Sequence, residues 1–149
     1  MPLAVQIARN GGPEEMKLVE VAVGEPGPGQ IRIRHKAIGL NFIDVYQRTG
    51  LYPNPMPLAL GMEGAGVIEA VGEGVKGVRK GDRVIAVPGW GGLVERLAVR
   101  AETVIPIPDA MSFEEAAALI MTYGTSYYAL KDRAQLKAGE TLLVLGAAG

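Results

Sequence analysis

Few side chains in this 149-residue sequence could do chemistry, and the types that are missing narrow the field first. There is no cysteine, which excludes a thiolate zinc site, a cysteine nucleophile and a disulfide scaffold within these residues. The single histidine, His35, sits in Gln30–Ile38, where polar and apolar residues alternate. That period of two predicts a strand with one wet face, and a solvated His35 without a catalytic role. Glu114 and Glu115 follow Ser112 in the S-x-x-E spacing of a capping box, so they read as first-turn helix charge and not as an acid–base dyad. Glu63 reads as a buried, hydrogen-bonded structural carboxylate, and Asp44 as an acceptor of backbone hydrogen bonds. Tyr46 and Tyr52 offer stacking faces and phenol donors, or else pack a domain edge. Finally, Thr141-Leu-Leu-Val-Leu145 runs straight into Gly146-Ala-Ala-Gly149. An apolar strand entering a glycine turn is how a dinucleotide-binding βαβ unit begins. A glycine-rich tail is the alternative.

These residues need elements to hold them. Glycine accounts for 21 of 149 residues, about twice the usual ~7%. With 10 prolines it marks turn-like spots along the whole chain, the pattern of many short strands in a barrel or sandwich. Strands are predicted at Leu3–Ile7, Met16–Val23, Gln30–Ile38, Gly64–Gly72, Arg83–Val87, Leu93–Val99 and Thr103–Ile107. A short helix is predicted over Asn41–Thr49, with Asn41 as N-cap and Gly50 as its stop. Pro53, Pro55 and Pro57 then impose an extended loop. Trp90, in a glycine-rich turn, is expected to cover the barrel end, and Met62 and Met121 to fill core. From Ser112 onward helices take over, the second spanning roughly Thr125 to Gln135 before the apolar strand.

The charge balance is even, 15 Lys+Arg against 16 Asp+Glu, for a net charge of −1. That argues against a basic nucleic-acid surface. No apolar run approaches the ~18 residues of a membrane span, and the N-terminus lacks a signal-peptide pattern. A cytoplasmic, membrane-free protein is the expectation.

Several strings together carry a resemblance. They are Gly39-Leu-Asn-Phe-Ile-Asp44, Tyr46-Gln-Arg-Thr-Gly-Leu-Tyr52, Gly61-Met-Glu-Gly-Ala-Gly-Val67, Lys80-Gly-Asp-Arg-Val84 and Leu143-Val-Leu-Gly-Ala-Ala-Gly149. In this order the chain resembles the N-terminal part of a medium-chain dehydrogenase/reductase, most closely the NADPH:quinone oxidoreductase (zeta-crystallin-like) family. The resemblance implies a mainly β fold with short helices. A GroES-like, partly open β-barrel over residues 1–120 carries the acceptor side of the active site. Residues 121–149 form connecting helices and the first strand and glycine turn of a truncated Rossmann domain. The zinc-dependent alcohol dehydrogenases of this superfamily ligate zinc with Cys, His and Cys, which fall here at Asn41, Met62 and near Met121. A carboxamide and two thioethers make a poor zinc site, so no metal is expected.

What the resemblance implies for function follows. The parent enzyme transfers hydride from NADPH to quinones or related activated carbonyls without zinc. Tyr52 meets the acceptor. Tyr46, with Asn41, holds the cofactor and lines the catalytic cleft. Thr125 approaches the nicotinamide carboxamide, and Gly146, Ala147, Ala148 and Gly149 begin the pyrophosphate loop. These 149 residues are expected to be inactive alone, and the full-length parent to be a homodimer. The rival readings are a zinc-independent enoyl reductase of the same superfamily and a stand-alone GroES-like binding module.

Overall fold

A computed structural model describes residues 1–146. Eight strands form two antiparallel sheets: β1 (Leu3–Ile7), β2 (Lys17–Glu20), β3 (Gln30–Gly39), β4 (Leu58–Ala59), β5 (Glu63–Val71), β6 (Arg83–Ala86), β7 (Arg96–Arg100) and β8 (Val104–Pro106). The small sheet runs β2-β1-β4 and the large one β7-β3-β5-β6-β8. Residues 93–95 stitch the two together. Val5 N–H donates to the Leu93 carbonyl at 2.8 Å, Glu95 N–H to Leu3 at 2.9 Å, and His35 N–H to Glu95 at 3.0 Å. The sheets do not close, so the barrel is partly open, and the fold is mainly β with short helices, as expected.

The alternation of the strands decides which side chains are covered. Ile31, Ile33, Ile68, Val84, Ala86 and Val99 make one core cluster. Ile85, one residue out of phase on β6, points the other way and packs with Ala65, Ile107, Ala116 and Ala117. Burying each of these branched side chains is worth about 1.5–3 kcal/mol relative to leaving it in water. The second cluster is roofed by helix α2 (Phe113–Ala117). Ser112 starts that helix with the expected capping box: its Oγ accepts from Glu115 N–H at 3.1 Å, and the Glu115 carboxylate accepts from Ser112 N–H at 2.8 Å. The Ser112 N–H and the Ser112 hydroxyl both donate to the Glu115 carboxylate and hold its carboxyl below the usual carboxylate range.

The helix predicted after Asn41 is present as α1 (Phe42–Thr49), and Gly50 ends it at φ +85°. The proline-rich loop expected next contains the short strand β4, which pairs with β1. Beyond α2 the chain stays helical from Ile120 to Arg133, with wide π-type turns at both ends of the stretch.

Three expectations fail. The strand over Thr141–Leu145 is absent: these residues pair with no strand among the described residues, and Leu143 and Leu145 are 79% and 85% exposed. A strand takes its hydrogen bonds from neighbours, and none of the described strands runs beside it. Trp90 is 63% exposed and joins none of the core clusters, so it does not cap the barrel. His35 is not solvated but half-buried: its Nδ1 lies 2.8 Å from the Val94 carbonyl, and its Nε2 is buried without a partner. The alternation of β3 puts His35 on the inward face with Ile31 and Ile33, and the 93–95 segment packs across it.

Candidate functional site

Helix α1 is anchored at its first turn, and that anchor builds the site. Asp44, 5% exposed, accepts from Asn41 N–H through Oδ2 at 2.9 Å and from Gly61 N–H through Oδ1 at 3.1 Å. The structural role read for Asp44 from sequence is the role it has. Gly61 stands at φ +99°, and a Cβ there would lie 2.3 Å from Leu93 N, so only glycine allows this approach.

Asn41 is tied down from the other side. Its Nδ2 donates to Glu63 Oε1 at 3.0 Å, while Glu63 Oε2 accepts from Met121 N–H at 2.9 Å. Glu63 is 1% exposed. One carboxylate therefore joins the entry to α1, the start of β5 and the helical stretch at residue 121. It also fixes which end of the Asn41 amide is nitrogen, an assignment that rests on the hydrogen-bond network. The three positions suggested by the resemblance are brought to this one place: Asn41 and Met121 touch Glu63, and Met62 is its chain neighbour. The Met62 sulfur accepts weakly from Gln47 Nε2 at 3.7 Å.

From this anchor an aromatic ladder climbs outward. Phe42 and Tyr46, one turn apart on α1, meet edge to face at 5.1 Å between centroids, and Tyr46 meets Tyr52 at 5.3 Å. The left-handed turn at Gly50 folds the chain back so that Tyr52 N–H donates to the Tyr46 carbonyl at 3.2 Å. Tyr46 is half-buried, while Tyr52 is 50% and Phe42 69% exposed. The ladder thus presents open ring faces beside Asn41. Beside α1 a groove of about 320 Å³ has Leu40, Asn41, Phe42, Asp44, Arg48 and Leu93 among its lining residues.

Thr125 is exposed, about one turn past Met121 on the helical stretch. No hydrogen bond joins it to Asn41, Tyr46 or Tyr52 among the described residues. Gly146 has φ +67°, the backbone of a tight turn. Ala147, Ala148 and Gly149 lie outside the described residues.

Sequence reasoning missed Phe42, although its i, i+4 spacing from Tyr46 was the available signal. It also missed the burial of Gln47 and Arg48. Arg48 is held by its Nη1 bond to the Gly11 carbonyl at 2.6 Å, which no local pattern announces.

The alcohol dehydrogenase GroES-like domain family matches residues 27–109. A quinone oxidoreductase of Pseudomonas aeruginosa is 45% identical over 151 residues, covering 100% of this chain and 46% of that protein. The human synaptic vesicle membrane protein VAT-1 homolog is 46% identical over 143 residues, covering 93% of this chain and 36% of that protein. The crystal structure of Escherichia coli quinone oxidoreductase complexed with NADPH superposes with a TM-score of 0.81 at 38% identity, covering 88% of this chain and 41% of that one. The chain spans less than half the length of these relatives. No helix among the described residues is long and apolar enough to cross a membrane. The partly open barrel, the anchored helix and the match across residues 27–109 agree, and the chain belongs to the alcohol dehydrogenase GroES-like domain family.

Proposed function

We propose that this chain forms the acceptor side of a zinc-independent, NADPH-dependent reductase of quinones or related activated carbonyls. The observation that carries the reading is the Glu63 node. The positions beside it are Asn41, a carboxamide, and Met62 and Met121, which are thioether residues, and both Glu63 oxygens are already engaged by the Asn41 amide and the Met121 backbone N–H. Zinc takes thiolate, imidazole or free carboxylate, so this donor set does not fit it. The relatives' names add support, since two of the three compared are quinone oxidoreductases, one of them bound to NADPH.

NADPH, when bound, supplies the hydride. The residues present suit what remains. Tyr46, half-buried and braced by Phe42, gives the nicotinamide a flat wall. Asn41, its amide oriented by Glu63, is the polar group beside that wall. Thr125 and the backbone from Gly146 onward belong to the same cofactor path in this reading. Tyr52 offers its ring for stacking on a quinone and its phenol as donor to the oxygen on which negative charge develops. A quinone needs little further activation, so positioning and exclusion of water are the protein's main contributions.

The test is steady-state kinetics on the full-length parent enzyme of which this chain forms the acceptor side. NADPH-dependent quinone reduction should survive exhaustive chelation. Tyr52→Ala should raise KM for the quinone about tenfold, as loss of one well-placed stacking and hydrogen-bonding group does, with KM for NADPH little changed. Activity lost on chelation and restored by zinc would overturn the reading. A preference for enoyl thioesters over quinones would instead assign the site to an enoyl reductase.

A further inference from the structure

The outer face of β3, β5 and β7 carries a second concavity, of about 510 Å³, that shares no lining residue with the groove beside α1. It arises from the alternation of β3. Ile31 and Ile33 turn into the core, so Arg32 and Arg34 turn out. On β7, Arg96 is the direct cross-strand partner of Arg34. Like charges placed opposite each other destabilise a sheet, and Glu69 on β5 offsets them. Its Oε1 lies 2.9 Å from Arg34 Nε, and its Oε2 lies 2.9 Å from Arg96 Nε and 3.6 Å from Arg32 Nε.

Glu69 meets all three guanidinium groups through Nε. Arg32 uses its Nη1 elsewhere, on Glu25 at 2.8 Å and the Gly24 carbonyl at 3.2 Å, and its buried Nε has no hydrogen-bond partner. The terminal nitrogens of Arg34 and Arg96 make no hydrogen bond among the described residues, and those side chains are 53% and 40% exposed. Lys80, also exposed and lining the cavity, has no ion pair among the described residues. Four cations thus face two carboxylates. A charge balance near neutral over the whole chain conceals this local excess.

We propose that this cavity binds a phosphate-bearing small anion. A guanidinium pinned by its Nε and open at its two terminal nitrogens is set for bidentate contact with phosphate oxygens. Arg34 and Arg96 present two such forks side by side, Lys80 adds a point charge, and Glu69 is a positioning residue. The cavity is large enough for a phosphate ester of a small metabolite. The inference is independent of the reductase reading, because none of these residues belongs to the Glu63 node or the aromatic ladder.

The experiment is an amide-resolved NMR titration of the full chain at constant ionic strength, with inorganic phosphate and with glycerol phosphate as probes. Saturable shifts are expected at Val67, Ile68 and Gly81, which line the cavity. These separate the site from any phosphate bound along the cofactor path. The double variant R34Q/R96Q should weaken binding at least about tenfold, and K80Q about threefold, as loss of charge-assisted contacts does. Lys76→Gln, which removes one charge as K80Q does but outside the cavity, should leave the affinity as it was. If R34Q/R96Q fails to fold, K80Q, at an exposed residue without an ion pair to Glu69 among the described residues, decides the matter. Tighter binding of the ester identifies a phosphorylated metabolite as the ligand, and equal binding identifies free phosphate; either supports the site. Absence of saturable shifts with both anions, or unchanged affinity in K80Q and the double variant, would overturn it.

Discussion

Two polar side chains show how burial assigns roles. Glu63 is enclosed yet fully engaged, one N–H donor to each oxygen, so its charge has partners in the interior. His35 is half-buried and only half engaged. The Val94 carbonyl can only accept, so in the neutral ring the proton sits on Nδ1 and Nε2 is the bare nitrogen. Nε2 faces Gly64, where even a Cβ would lie 2.9 Å away, and a second proton there would meet no acceptor. Burial therefore lowers the His35 pKa from its ordinary 6.5, partly opposed by the Val94 hydrogen bond. The sign of the consequence is fixed by linkage. Below the unfolded-state value the unfolded chain takes up a proton that the folded chain refuses. Stability is then present above 6.5 and falls as pH drops towards the folded value. Because His35 is the only histidine, chemical denaturation between about pH 7 and pH 5.5 should isolate it. The wild type should lose stability across that window, and His35→Gln should show a flatter profile. A ring titration by NMR at or above 6.5 would contradict this account.

At the scale of elements, the site depends on β3 passing very close to α2. A Cβ on Gly39 would lie 2.4 Å from the Ala117 carbonyl and 2.6 Å from Glu63 Cγ. Gly39→Ala should therefore push β3 away from α2 and disturb the Glu63 node at once. Overpacking of this kind costs about 1–3 kcal/mol, to be read as a lower urea midpoint at unchanged m-value. Stability equal to wild type would show that the two elements can part freely. Sequence made most of this scaffold legible, because its signals are local. The alternation of Gln30–Ile38, the S-x-x-E box at Ser112 and the Asn41 and Gly50 boundaries of α1 each stand as read. What it could not supply depends on contacts distant in sequence. The two-residue β4 exists because β1 lies alongside it. His35 is covered by residues some sixty positions away. The apolar run Thr141–Leu145 has strand composition, but a strand also needs a neighbour. Of the candidate site, Asn41, Tyr46 and Tyr52 are named through the resemblance. Their assembly around Glu63 and Phe42 required the fold.

For the whole molecule, the distribution of apolar surface is uneven. The barrel gathers its buried aliphatic side chains into three clusters, and residues 134–146 join none of them. Leu142, Leu143, Val144 and Leu145 are all exposed, as are Tyr123, Tyr127 and Tyr128. Contiguous apolar surface on this scale favours association. In the 149-residue polypeptide, association should therefore be set by residues 142–145 and not by the barrel. The double substitution L143K/L145K adds two charges to side chains already 79% and 85% exposed, so it removes no core contact and should leave the unfolding midpoint unchanged. Sedimentation velocity over a concentration series should show the wild-type weight-average coefficient rising with concentration and the variant's staying nearly flat. If both rise together, the adhesive surface lies elsewhere, and the exposed ladder of Phe42 and Tyr52 is the next place to substitute. If neither rises, the apolar run is solvated without consequence, and its composition reflects some demand other than association.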